Sequence, residues 1–292
     1  MADQAEKLKE LAAKKDIKSN NLSHKVRVIT ITSGKGGVGK SNMTVNLALA
    51  LAQMGKRVVI FDADFGLANV DILLGLIPRY NMHHVVSGDK QLQEIILKGP
   101  LGVHIVPGST GLLEMANLNG FQRQQLLKQL LELERSAEII LIDTGAGISK
   151  SVLGFITAAD DVLLITNPEP TSITDAYGIA KIISKYQLQQ EVKLVVNQVK
   201  NIQEGEDVAQ RFSRVAHNYL RLPVDYLGCV LCDSVVARSV REQHPFFIAY
   251  PNSKAAECID RIANNLVEPY SLKVQGGEGM SGFFRKIAKI FS

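Results

Sequence analysis

No apolar run in this sequence approaches the length of a membrane span, and the start Met1-Ala2-Asp3-Gln4 carries no signal-peptide pattern. Three cysteines in 292 residues are few and odd in number, which excludes a disulfide framework and suits a reducing cytoplasm. The formal charge is only +4, too little by itself to argue for nucleic acid. No internal repeat is present. What remains is a chain with 46% hydrophobic residues, long enough to bury a full core. One large soluble α/β domain is expected over residues 23–270.

The most informative stretch is Gly34-Lys35-Gly36-Gly37-Val38-Gly39-Lys40-Ser41. It follows the apolar run Val26–Ile31, which reads as a buried strand. It opens onto Ser41–Met54, where Met43, Leu47, Ala50, Leu51 and Met54 recur at helical spacing. Strand, glycine loop and helix form the context of a phosphate-binding loop. The glycines let backbone N–H groups converge on phosphate oxygens, and the helix N-terminus adds partial positive charge. Lys40 would reach the outer phosphates and Ser41 would ligate Mg²⁺. A lysine at the second position, Lys35, points away from its own phosphates and is suited to reach the nucleotide of a facing subunit. Gly34 through Ser41, with the following Asn42, are the expected nucleotide contacts.

Acids follow at the ends of two further strands. Arg57–Phe61 delivers Asp62 and Asp64 at its C-terminal end, where open α/β sheets place ligands. Asp64 is suited to positioning or activating a water for attack on the γ-phosphate, and Asp62 to supporting the water shell of a metal. Glu138–Asp143 is an aliphatic strand ending in a carboxylate that would hydrogen-bond a Mg²⁺-bound water. Gly66–Leu76 and Thr144–Gly147 are expected to respond to the γ-phosphate.

Elsewhere, Gly102–Gly108 reads as a short strand, Phe121–Leu133 as a helix, and Val162–Thr166 and Val192–Val196 as parallel strands around a helix at Ser172–Gln187. The sum is a doubly wound, mostly parallel sheet flanked by helices. Asn197-Gln198-Val199-Lys200 ends a strand where related GTPases carry N-K-x-D. Without the Asp that reads guanine, Asn197 favours an adenine edge and hence ATP. Tyr226–Asp233 holds a C-x-x-C, but Cys229 and Cys232 would lie on opposite faces of a strand, so packing is favoured over a metal. The adjacent pair His83-His84 reads as loop residues. Ser234–Gln243 and Ser253–Val267 read as closing helices.

The two ends differ from this core. Residues 1–22 are lysine-rich yet nearly charge-balanced, with Ala5, Leu8 and Ala12 on one face of a weak helix. At the other end a flexible linker, 271–281, leads to residues 282–292. On a helical wheel Phe283, Phe284, Ile287, Ile290 and Phe291 fall within an arc of about 120°, opposite Arg285, Lys286 and Lys289. This is an interfacial helix pattern, too short to span a bilayer.

The loop form KGGVGK[ST] resembles the deviant Walker A loop of the MinD/ParA ATPases, whose members dimerise around two sandwiched ATP molecules. Within them the chain looks most like the flagellar-number regulators of the FlhG (YlxH/FleN) type. Asp62–Asp71 followed by Leu73-Leu74-Gly75 is similar to their first switch, and Asp143-Thr144-Gly145-Ala146-Gly147 to their second. Asp3-Gln4-Ala5-Glu6-Lys7-Leu8-Lys9 resembles their leader motif D-Q-A-x-x-L-R. The resemblance implies Lys35 acting across the dimer, Lys40 on the phosphates, Ser41 on Mg²⁺, Asp64 as hydrolytic aspartate, Asp143 in the second switch and Asn197 on adenine. It implies ATP and Mg²⁺ as cofactors and an ATP-dependent homodimer. It also implies stimulation of an FlhF-type SRP GTPase through Asp3, Gln4, Ala5, Leu8 and Lys9, and binding to switch-complex proteins of the FliM/FliN(Y) type. The expected location is the cytoplasm, reversibly peripheral on the inner face of the membrane at anionic lipid. Lys9 departs from the Arg of the leader motif, and Leu231 from the Pro usual near the adenine. Three other readings share the loop: a MinD-type division regulator, a ParA-type partitioning ATPase and an iron–sulfur carrier. Interspersed charges argue against the nucleic-acid partner that partitioning needs.

Overall fold

The computed structural model describes residues 26–64, 69–108 and 136–267, together with 122, 124–126, 128–130, 282, 283, 286 and 287. Short aliphatic runs alternate with amphipathic stretches, and such a chain buries both by layering helices on a sheet. The strands are β1 (Arg27–Ser33), β2 (Val58–Ala63), β3 (Leu97–Lys98), β4 (His104–Val106), β5 (Ile139–Thr144), β6 (Asp161–Thr166), β7 (Val192–Val199) and β8 (Val224–Leu231). They lie in the order β3-β4-β2-β5-β1-β6-β7-β8. Among the described residues only β3 and β4 pair antiparallel; every other neighbouring pair is parallel. The order reverses direction at β1, so the crevice outside its C-terminal end is where a ligand belongs.

The helices that matter here are α1 (Lys40–Gln53), α2 (Val70–Leu73), α3 (Met82–Val86), α4 (Leu92–Ile95), α5 (Lys150–Ala158), α6 (Pro170–Tyr186), α7 (Ile202–Val215), α8 (Ser234–Glu242), α9 (Phe246–Ala249) and α10 (Lys254–Val267). Strand residues alternate between two buried faces, as parallel sheets require. Ile29, Ile31, Ile60 and Leu141 pack against α1 and α10. Val28, Val59, Phe61 and Ile142 face Phe155 of α5, while Val162, Leu164, Leu194 and Val196 face α6 and α7. At the pole opposite the crevice, Arg27 Nε donates to Asp161 Oδ2 at 2.6 Å and Arg27 Nη1 to Leu266 O at 2.7 Å. That bond ties the end of α10 to the start of β1.

The last described residues differ from expectation. Phe283 and Ile287, expected to face a membrane, are 1% and 0% exposed in the domain's own core. The Phe283 ring stacks on Phe155 with centroids 6.1 Å apart and planes 8° from parallel. Lys286, expected on the solvent side of that helix, is only 9% exposed. Packed in the cluster that holds Phe155 of α5, each large apolar side chain gains ~1.5–3 kcal/mol by burial. Phe284, Arg285, Lys289, Ile290 and Phe291 lie outside the described residues, as do the leader positions Asp3, Gln4, Ala5, Leu8 and Lys9, the linker 271–281 and residues 65–68 of the first switch.

Candidate nucleotide site

The phosphate loop joins β1 to α1 as expected. Gly37 and Gly39 have φ of +82° and +88°, in the left-handed region that glycine enters without cost. Gly34 presses on α6: a Cβ there would lie 2.2 Å from the Asp175 carbonyl carbon. The loop therefore has a rigid back wall, which a bulkier residue would push open.

Lys40, Asp62 and Asp143 come together beneath it. Lys40 Nζ lies 3.3 Å from Asp143 Oδ1, which also accepts from Thr44 Oγ1 at 2.9 Å. Thr44 was not anticipated, although it sits one helical turn after Lys40 on the same face. Asp62 and Asp143 are directly paired across β2 and β5, and both are buried. Burial, then repulsion from Asp143, pushes the Asp62 carboxyl up to about 7, against the pull of the Asp64, Val70 and Asn69 backbone N–H groups. Asp143 Oδ2 is buried with no hydrogen-bond partner among the described residues. Two buried carboxylates paired across neighbouring strands, one of them against the Lys40 ammonium and with an orphaned oxygen, form a hard oxygen donor set that fits Mg²⁺. Ser41 would hold the ion directly, and Asp62 and Asp143 through water. Bound there, the ion would neutralise charge on the β- and γ-phosphates.

The raised Asp62 value gives a pH prediction. The folded protein holds this proton more tightly than the unfolded chain, so the stability it carries is complete below about pH 4 and is lost as pH rises through 7. Asp62→Asn mimics the protonated form. Urea denaturation without nucleotide or Mg²⁺ should find the variant more stable than the parent at pH 8.5, by up to roughly 4 kcal/mol, with a much smaller gain at pH 5. Equal gains at both values would contradict the assignment.

The switches meet at this centre. Asp64 N donates to Asp62 Oδ1 at 3.1 Å. A Cβ on Gly145 would be 3.5 Å from Asp64 Oδ1, so first and second switch are in contact there. Gly147 N donates to Ser33 O at 2.8 Å, fastening the second switch to the start of the loop. Gly108 leaves no room for any side chain: a Cβ would sit 1.7 Å from Asp62 O. The end of β4 thereby braces the acid-bearing end of β2.

Lys35 lies apart from Lys40. Its Nζ donates to Glu169 Oε2 at 2.6 Å and to Thr171 Oγ1 at 3.1 Å, at the start of α6. Both side chains of this ion pair are substantially exposed. Nothing in the sequence signalled Glu169 or Thr171, since the contact joins segments more than a hundred residues apart. Asn197, expected on adenine, first serves the loop: its Nδ2 donates to Val38 O at 2.8 Å. Its second amide hydrogen remains available to a base edge.

The C-x-x-C does not form one face. Cys229 is buried within β8, whereas Cys232 is exposed beyond its end. Burial pushes the Cys229 thiol above its ordinary value, away from the thiolate a metal requires. Among the described residues no group of three or more His, Cys, Asp or Glu is arranged to hold a metal ion, and no helix is long and apolar enough to cross a membrane.

Comparison with known proteins agrees with this geometry. A family model described as "ParA: NUBPL iron-transfer P-loop NTPase" matches residues 24–267. The antiactivator FleN of Pseudomonas aeruginosa is 38% identical over 250 residues, covering 86% of this chain and 89% of FleN. The flagellum site-determining protein YlxH of Helicobacter pylori is 38% identical over 298 residues, covering 99% of each. Among solved structures, the septum site-determining protein MinD of Pyrococcus horikoshii, complexed with Mg-ADP, superposes with a TM-score of 0.65 at 25% identity, over 86% of this chain and 99% of that one. On this family match and these identities the chain belongs to the MinD/ParA family of P-loop ATPases, which hydrolyse ATP with Mg²⁺.

Proposed function

We propose that this chain is an ATP-switched regulator of flagellar number and placement. ATP drives dimerisation and membrane attachment, and slow hydrolysis resets both. Its leader stimulates an FlhF-type GTPase, and its folded domain engages switch-complex proteins of the FliM/FliN(Y) type. The flagellar part of this reading is supported by similarity to FleN and YlxH over most of the chain.

The observation that carries the switch is the seat of the C-terminal residues. Phe283 and Ile287 pack on Phe155 of α5, the helix that follows the second switch directly. Thr30 Oγ1 also donates to the Phe155 carbonyl, at 3.1 Å. A γ-phosphate that draws in Gly145–Gly147 pulls on the helix that holds the tail. Two buried side chains gain about 3–6 kcal/mol together before ordering costs, a range that lipid can match. Basic residues add about 1 kcal/mol each near anionic lipid. Two tails on one dimer gain avidity without any new contact. The tail is therefore balanced between core and bilayer, as a reversible anchor requires.

Flotation with anionic vesicles tests this. The whole chain should float in ATP and not in ADP, and a chain lacking residues 281–292 should remain soluble with nucleotide affinity intact. Continued ATP-dependent flotation after truncation would make the tail structural only. In parallel, stimulation of the GTPase should require residues 1–10. Lipid binding without stimulation would favour a MinD-like positioning protein.

A further inference from the structure

The hydrogen bonds around Asn197 form a circuit that leaves the phosphate loop and returns to it. Asn197 Nδ2 donates to Val38 O at 2.8 Å, and its Oδ1 accepts from Gln198 N at 2.9 Å. Gln198 Oε1 accepts from Asn167 Nδ2 at 3.1 Å. Asn167 Oδ1 accepts from Glu169 N at 3.2 Å, and Glu169 Oε2 accepts from Lys35 Nζ at 2.6 Å. Backbone N–H groups only donate, so they fix the oxygen ends of Asn197 and Asn167, and with them the orientation of Gln198.

This arrangement is built at a cost. Gln198 has φ of +58°, the left-handed region that residues with a side chain rarely enter. The pairing of β7 with β8 slips between Val196 and Val199, so Asn197 and Gln198 bulge from the ladder. Bulges beside active sites re-aim side chains, and this one turns its two amides toward the loop and toward Asn167. Asn167 is 4% exposed and its N–H donates to Ser172 Oγ at 3.3 Å, which leaves it little freedom of its own.

We propose that Gln198 is a positioning residue that couples recognition of the base at Asn197 to release of Lys35 from Glu169. The proposal rests on the reading of Lys35 as the lysine that acts across the dimer. A purine that engages the second hydrogen of Asn197 draws on an amide that already holds Val38 and Gln198. The shift passes through Asn167 to the backbone of Glu169 and loosens its hold on Lys35. Binding of ATP thus prepares the lysine before the second subunit arrives. Such coupling is reciprocal, so a Lys35 already free tightens binding of the base.

The test is the ATP concentration for half-maximal dimerisation, read by light scattering. Gln198→Leu cuts the circuit and Glu169→Ala removes its end. Glu169→Ala frees Lys35 and should lower that concentration, whereas Gln198→Leu leaves Lys35 held and should raise it, each roughly two- to tenfold, the scale of one net hydrogen bond. The combined variant should behave as Glu169→Ala alone, because without the latch Gln198 has nothing to release. Gln198→Glu keeps the acceptor for Asn167 and should stay near the parent value. Gln198→Ala replaces the leucine variant if that one does not fold. No shift, or shifts that add fully, would overturn the coupling. If Lys35→Ala still dimerises, the reading of Lys35 itself fails. If Lys35→Ala abolishes the dimer while the two shifts add, the circuit alone is wrong.

Discussion

Asp64→Ala is expected to abolish ATP turnover and to leave a dimer that forms with ATP and no longer decays. The carboxylate follows the end of β2, its backbone N–H held by Asp62 Oδ1 and its side chain against Gly145 of the second switch. From there it can orient a water toward the γ-phosphate without contributing to nucleotide binding. Loss of a positioned general base costs typically 10²–10⁴-fold in rate, while ground-state binding is untouched. The molecule is therefore trapped after dimerisation. Phosphate release and mass in solution, measured on the same sample, check both halves. A monomer with full turnover would remove Asp64 from the catalytic role.

Lys35→Ala should have the opposite signature, losing dimer and turnover together. Lys35 sits at the second loop position, yet it pairs with Glu169 and Thr171 rather than with Asp143 as Lys40 does. An exposed ion pair contributes only about 0–1 kcal/mol, so the Glu169 pair is easily exchanged for phosphate oxygens of a facing subunit. Charge supplied in trans to a transferring phosphoryl group is worth about 10³-fold or more in rate. Folding should be unaffected, since the side chain supports no core contact. An unaltered dimer would contradict the trans role. Comparison with Asp64→Ala is informative because one variant fails before assembly and the other after it.

The loop, both acid-bearing strands and the sheet class were legible because each is a local pattern: aliphatic runs ending in Asp, and glycines at fixed offsets. The helix α7 was not. Its buried residues Val208, Ala209 and Phe212 are few, and Gly205 in its interior reads as a breaker. The structure shows why that glycine is there: a Cβ would lie 2.7 Å from Cys229 Cβ and 2.8 Å from its Sγ. Asn197 was legible as a site residue, but its bond to Val38 joins residues far apart in sequence and has no local signature. Glu169 was hidden for the same reason. The amphipathic tail was legible as a pattern, and the pattern alone did not say which apolar surface Phe283 and Ile287 would meet.

In the proposed switch, nucleotide decides the number of subunits. Light scattering of the unaltered chain with a non-hydrolysable ATP analogue and Mg²⁺, set against ADP and Mg²⁺, tests it most directly. Twice the monomer mass is expected with the analogue and the monomer mass with ADP. The same mass under both conditions would contradict it.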